Sequence, residues 1–376
     1  MSFYTLTNEK SKKREEGKKM TILDRKKIRP DILKIHDNAF KEIMKFLLQF
    51  TELEENKRFN FVKIYKKVLD LNELFFKKKV GMVELHDKLT GEERNYITKL
   101  LHYAFEHSAI QELENYPIPK EIEIKSITLD KIPAEWVIPS NPIKDRVILY
   151  LHGGGWILGS PLSSRRLNSA IAEATKIRIL SIDYRLAPEH PFPTPLEDCV
   201  NAYKWLLSDG FKSDHIIIAG DSAGGNLTLT TLLKLRDQGI DLPAGAICLS
   251  PATDFTLADD SYFTNAETDP GLADVGFFWW YVAYLAGENP RNPYISPLFA
   301  DLKGLPPILV QASSCEMLYS DSTRFVEKAK KAGTNAILQS WDDMSHVFQG
   351  LIYELIPEAK DAISKIADFT NQLFEI

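Results

Sequence analysis

A serine flanked by glycines stands in the turn Gly220-Asp221-Ser222-Ala223-Gly224-Gly225. The apolar, β-branched run Ile216-Ile217-Ile218-Ala219 leads into it, and a helix-like segment, Leu227 to Arg236, leads out. Strand, sharp turn and helix in that order make a nucleophile elbow, which lifts the serine hydroxyl clear of the sheet. Gly220 and Gly224 suit the close approach of helix and strand, where a side chain would crowd. The helix N-terminus behind Ser222 favours developing negative charge. Taken alone, the motif also reads as a glycine-rich turn with an ordinary N-cap serine. A second motif tells against that reading. Val147 to Leu151 has the pattern of a buried strand, and His152-Gly153-Gly154-Gly155-Trp156 follows at once. Three glycines in a row expose backbone N–H groups, the donors that acyl transfer needs when a carbonyl oxygen becomes an oxyanion.

A serine hydroxyl is a poor nucleophile until a base takes its proton. In hydrolases built on this elbow and glycine run, the chain order is serine, acid, histidine. Of the eight histidines only His346 lies beyond Ser222. It sits in a loop after the strand-like stretch Ala336 to Trp341, where the base belongs. The acid is expected after the strand Ile308 to Gln311, in Ser313-Ser314-Cys315-Glu316-Met317-Leu318-Tyr319-Ser320-Asp321. Glu316 falls in the loop and is the preferred orienter of His346. Asp321 is the runner-up; as an acid in a helix's first turn it has a purely structural explanation.

These motifs resemble the bacterial and archaeal branch of the hormone-sensitive lipase family of α/β-hydrolases. The resemblance also rests on Asp183-Tyr184-Arg185-Leu186-Ala187-Pro188-Glu189 with His190-Pro191-Phe192-Pro193, on Ser250-Pro251, and on Ser345-His346-Val347-Phe348. It runs from about Ile122 to the C-terminus. It implies that Gly154, Gly155 and Ala223 supply the oxyanion N–H groups and that His152 supports their loop. It implies a serine carboxylesterase acting on short- to medium-chain esters through an acyl-enzyme on Ser222, with neither cofactor nor metal. Much of the family carries an Asp-Pro-Leu-x-Asp-Glu type segment for the acid. The segment from Glu316 to Asp321 departs from it and is similar to a subgroup that uses glutamate. Trp156, next to the oxyanion loop, is a candidate for the acyl pocket. The aromatic run Phe277-Phe278-Trp279-Trp280-Tyr281 reads as core rather than pocket wall. Asp183 and Glu189 read as a polar network under the site, and Asp198 as a first-turn helix acid.

The elements that must position these residues follow from periodicity. Strands are expected at Glu121–Leu129, Ala134–Val137, Arg146–Leu151, Ile177–Ser181, His215–Ala219, Ala244–Leu249, Ile308–Gln311 and Ala336–Trp341, alternating later with helices. The fold expected is therefore α/β: a mostly parallel central sheet flanked by helices, the α/β-hydrolase fold, with an N-terminal helical cap. The chain divides into a basic tail (1–29), a helical cap region (30–117) and a catalytic domain (118–376). The tail holds ten Lys or Arg against four acids. It reads as a solvated segment; a membrane-surface anchor is the alternative and is not favoured. Ile32, Ile35, Ala39, Ile43, Phe46 and Phe50 recur at helical spacing, as do Phe61, Tyr65, Val68, Leu71 and Phe75, and a third helix is expected from Thr90 through Ala104.

A net charge of −6 argues against a general affinity for nucleic acid. Three scattered cysteines suggest neither a disulfide framework nor a metal site, and a cytoplasmic location is expected. The oligomeric state is not legible. Two other functions fit the same features. One is a non-catalytic small-molecule-binding module on this fold, which His346 argues against. The other is a membrane-associated lipase acting on longer-chain lipid esters.

Overall fold

The computed structural model describes residues 28–78, 88–266, 268–272, 277–351 and 355–375, with the backbone alone for 65, 69, 72–78 and 277–279. The basic tail up to residue 27 lies outside these residues. So do the side chains of Tyr65 and Phe75 and those of Phe277, Phe278 and Trp279.

Three helices come first: α1 (Pro30–Glu52), α2 (Phe61–Lys78) and α3 (Gly91–Asn115). Helix α1 turns Ile32, Phe46, Leu47 and Phe50 inward. Helix α3 begins at a capping box. The Thr90 hydroxyl accepts from the Glu93 amide, and the Glu93 carboxylate accepts from the Thr90 amide at 2.8 Å. Lys67 of α2 reaches the same carboxylate at 2.7 Å. The expected stop at Ala104 is too early: α3 continues to Asn115, because no glycine or proline interrupts the run.

The eight strands of the sheet are β1 (Glu123–Leu129), β2 (Ile132–Ile138), β3 (Val147–Leu151), β4 (Arg178–Ile182), β5 (Ile216–Asp221), β6 (Gly245–Leu249), β7 (Ile308–Ser313) and β8 (Ala336–Trp341). Their order is β1-β2-β4-β3-β5-β6-β7-β8. Strand β2 pairs antiparallel with β1 and β4; every later pairing is parallel. Each strand end lies within two residues of the position that periodicity gives it.

Alternation along β3 divides the core. Val147, Leu149 and Leu151 face one side; Ile148 and Tyr150 face the other. The first side is covered by α5 (Thr194–Ser208), α6 (Ala223–Asp237) and α8 (Tyr319–Lys331), and α1 to α3 join this same cluster. The second is covered by α4 (Arg165–Thr175) and α9 (Pro357–Phe374). Helix α2 also touches α7 (Phe277–Leu285), which reaches the first cluster through Tyr281 and Tyr284. No described helix is long and apolar enough to cross a membrane.

Leu100 of α3 is buried in the cluster shared by the N-terminal helices and the sheet. Leu100→Ala should cost roughly 2–5 kcal/mol, as truncation of a packed leucine does, and lower the thermal midpoint accordingly. Ile110→Ala, on the exposed part of the same helix, should stay within about 0.5 kcal/mol. Equal midpoints for the two variants would show that α3 does not share the core.

Candidate active site

The turn between β5 and α6 has no room for side chains. A methyl group on Gly220 would meet the backbone of Gly224, and one on Gly224 would strike the Leu151 carbonyl at the end of β3. Ser222 sits between them at φ 53°, a left-handed conformation that costs an L-residue energy and is imposed by the packing around it. Its amide donates to the Leu249 carbonyl of β6 at 2.7 Å. Helix α6 begins at Ala223, four residues earlier than the periodic pattern suggests, so the helix N-terminus abuts the serine.

Three more loops leave the carboxyl ends of parallel strands around Ser222, the place where open α/β sheets hold their ligands. Leu151 of β3 is level with Gly220 of β5, which brings the glycine run beside the elbow. Ser313 of β7 is level with Trp341 of β8, so Glu316 and His346 emerge side by side. His346 Nε2 lies 2.9 Å from Ser222 Oγ, placed to accept its proton. His346 Nδ1 lies 2.7 Å from Glu316 Oε2, placed to donate to it. Glu316 is fully buried, and its other oxygen accepts from the Ser313 amide. Asp321 is elsewhere. In the first turn of α8, it accepts from the amides of Thr253 and Asp254 and from the Tyr262 hydroxyl at 2.6 Å. Burial raises its carboxyl to about 7.

The glycine loop curls back on itself, Gly154 at φ 113° and Gly155 at φ 62°, with the Leu158 amide donating to the Gly154 carbonyl at 2.9 Å. Among the described residues, the amides of Gly154, Gly155 and Ala223 donate to no protein group. His152 is buried beneath the loop. It stacks on Tyr184 with ring centroids 4.1 Å apart and donates to the Gly153 carbonyl. Burial lowers its pKa to about 4, so it stays neutral.

Two acids near the site carry parts that sequence reasoning did not assign. Asp221, the residue before the serine, accepts from the Tyr150 hydroxyl at 2.7 Å and the Gly153 amide at 3.0 Å. A side chain on Gly153 would collide with that carboxylate. Asp221 therefore bolts the glycine loop to the elbow. Its only signal in the sequence is an acid at the end of an apolar strand. Asp269 accepts from the Met317 amide at 2.9 Å and from the amides of Gly271 and Leu272. Asn265 donates to the carbonyls of Ser314 and Glu316. Together they clamp the loop that carries Glu316. Nothing in the local pattern of Asn265 or Asp269 marks this, because their partners lie about fifty residues away.

Burial pushes the His346 pKa down, but the Glu316 carboxylate, with Asp269 and Asp221 behind it, outweighs this. The ring holds its proton above the ordinary value of 6.5. Glu316 is pushed up by burial, and its bond to His346 only partly offsets that.

Several expectations need correction. Trp156 is shut into an aromatic cluster with Phe255, Tyr281 and Tyr284, at centroid distances of 4.8, 5.4 and 4.9 Å, and is 1 % exposed. The ring that meets the glycine loop is that of Trp280. It is part-exposed and stands where a methyl group on Gly155 would be, 2.5 Å from that position. Helix geometry separates it from Tyr281, which is core. Asp198 lies just past the first turn, where Glu197 stands instead; fully buried, it takes Arg185 in a two-pronged bond at 2.9 and 2.7 Å. Glu189 is exposed, so no network under the site includes it.

A family model described as the alpha/beta hydrolase fold matches residues 148–350. An acetyl-hydrolase of Streptomyces hygroscopicus is 40 % identical over 243 residues, 65 % of this chain and 81 % of that protein. An esterase of Acinetobacter venetianus is 37 % identical over 259 residues, 69 % of this chain and 85 % of its own. The crystal structure of an esterase from the bacterial hormone-sensitive lipase family superposes with a TM-score of 0.70 at 37 % identity, covering 82 % of this chain and 98 % of that one.

The two acids of the β7 loop can be separated by experiment. Asp321→Asn turns an amide toward two backbone N–H donors and should cost about 1–3 kcal/mol in denaturant unfolding. Turnover of an ester by the folded variant should stay within a few-fold of the parent. A loss of turnover at unchanged stability would contradict the structural role of Asp321.

Proposed function

Because the chain belongs to the α/β-hydrolase family, in its bacterial hormone-sensitive lipase branch, we propose that it is a serine carboxylesterase with Ser222 as nucleophile, His346 as base and Glu316 as orienting acid. The observation that carries this reading is the unbroken pair of hydrogen bonds from Glu316 through His346 to Ser222. His346 takes the Ser222 proton as Oγ attacks the ester carbonyl. The oxyanion forms against the N–H groups of Gly154, Gly155 and Ala223, at the positive end of α6. His346 then gives the proton to the departing alkoxide, and water, activated by the same ring, releases the acid from the acyl-enzyme. Glu316 fixes the tautomer and stabilises the imidazolium that appears twice in the cycle. Asp221 and His152 hold the glycine loop in register with the serine.

The substrates we assign are esters of short to medium acyl chain. Trp280, packed on Gly155, limits the space beside the oxyanion loop, and we treat helices α1 to α3 as the cap over it. We place the enzyme in the cytoplasm, a reading carried by three widely spaced, buried cysteines.

Ser222→Ala should lower kcat on p-nitrophenyl esters about a thousandfold or more with the fold intact. Near-parental turnover by a well-folded variant would overturn the assignment. A series of p-nitrophenyl esters of rising chain length should show kcat/KM falling beyond medium chains.

The base must be neutral to work, so kcat/KM should rise with pH through the His346 pKa, above 6.5. Glu316→Gln removes the main group holding the proton on. It should lower kcat by up to about 10⁴-fold and shift the acidic limb to lower pH. An unmoved limb would mean that Glu316 does not set the charge of the ring.

A further inference from the structure

We propose that a cleft between α1, α3 and the chain following His346 binds a medium-chain carboxylate, at a site separate from Ser222. The cleft has a volume of about 640 Å³, within the range of small-molecule sites. Helix α1 presents Asp31, Ile35, Asn38 and Glu42 to it, a single stripe at helical spacing, with Ala39 beside them. Helix α3 presents a matching stripe from Ser108 to Asn115. The third wall is Gly350, Leu351, Leu355 and Ile356.

Charge selects the ligand. The three acids of the lining are already engaged: Asp31 with Arg29, Glu42 with Lys45, and Glu112 with Arg166. The two lysines, Lys34 and Lys41, have no ion-pair partner among the described residues. The cleft thus offers an anion two ammonium groups that pair with no carboxylate among the described residues. Part of its apolar lining is open to solvent: Leu355 is 63 % exposed. An acidic head near the lysines and an alkyl chain along Ile35, Leu351 and Leu355 satisfy both. A neutral or cationic amphiphile would satisfy only one.

The site has a physical route to the catalytic loops. Ile35, Leu351 and Ile356 pack in one cluster with Phe348, Met344 and Cys315. Phe348 and Met344 lie two residues either side of His346, and Cys315 precedes Glu316. A carboxylate released by ester hydrolysis has the required chemistry. The cleft would bind such a carboxylate whichever residues perform the hydrolysis.

The test is calorimetric titration of sodium decanoate into the full chain, with decyltrimethylammonium as the cationic control. The expected result is decanoate binding that weakens with added salt, with no comparable binding of the control. Ala39→Trp, which fills the cleft, and the pair Lys34→Glu with Lys41→Glu should each weaken decanoate about tenfold or more. Both should keep the far-UV circular dichroism spectrum and thermal midpoint of the parent, which reports that they are folded. No decanoate binding at millimolar concentration, equal binding of the cation, or unchanged binding in the two cleft variants would overturn the proposal. Unchanged binding would place decanoate elsewhere, the acyl pocket included.

Discussion

The approach of Gly224 to the Leu151 carbonyl is the constraint on which this site depends. It draws the N-terminus of α6 against the end of β3, and the glycine loop and the serine turn meet across that narrow gap. Ser222 is held in a left-handed conformation at its edge. Asp221 spans the gap, bonded to Tyr150 and to the Gly153 amide. A single methyl group on the helix side would separate the two strand ends and move the glycine loop away from the serine. Glycine is needed here because backbone meets backbone.

Around that gap the chain buries an unusual quantity of acid. Glu316 and Asp269 are fully buried, and Asp221 lies against the same loops. Each is tolerated because it is hydrogen-bonded: Glu316 to His346 and the Ser313 amide, Asp269 to three backbone amides, Asp221 to a phenol and an amide. These bonds fix the loops that carry His346 and Glu316. The combined negative potential of these acids also favours the imidazolium form of His346. The same groups thus position the ring and tune it.

The strands and the elbow were legible because their signals are local. A strand repeats every two residues, and the elbow is written in six consecutive positions. The misreadings have a common origin in distance. Trp156 sits beside the glycine loop in sequence, yet its ring packs inward on Phe255 and Tyr284, and Trp280 from a helix more than a hundred residues later covers Gly155. Asp198 reads as a helix acid until Arg185, thirteen residues earlier, folds over it. Asn265 and Asp269 show no pattern at all, since their roles consist of bonds to the Glu316 loop.

The sequence by itself determined where a strained serine would stand, which histidine follows it, and that a mostly parallel sheet with helices on both faces would carry them. Those features depend on residue type, short spacing and chain order. Only the tertiary structure shows which of Glu316 and Asp321 meets the His346 ring. They lie five residues apart after the same strand, and both are buried acids. The register of β7 with β8 brings Glu316 alongside the His346 loop, while the turn into α8 carries Asp321 to the amides of Thr253 and Asp254. Hydrogen bonding extends only about 3 Å, so which acid meets the imidazole is a matter of packing between distant segments.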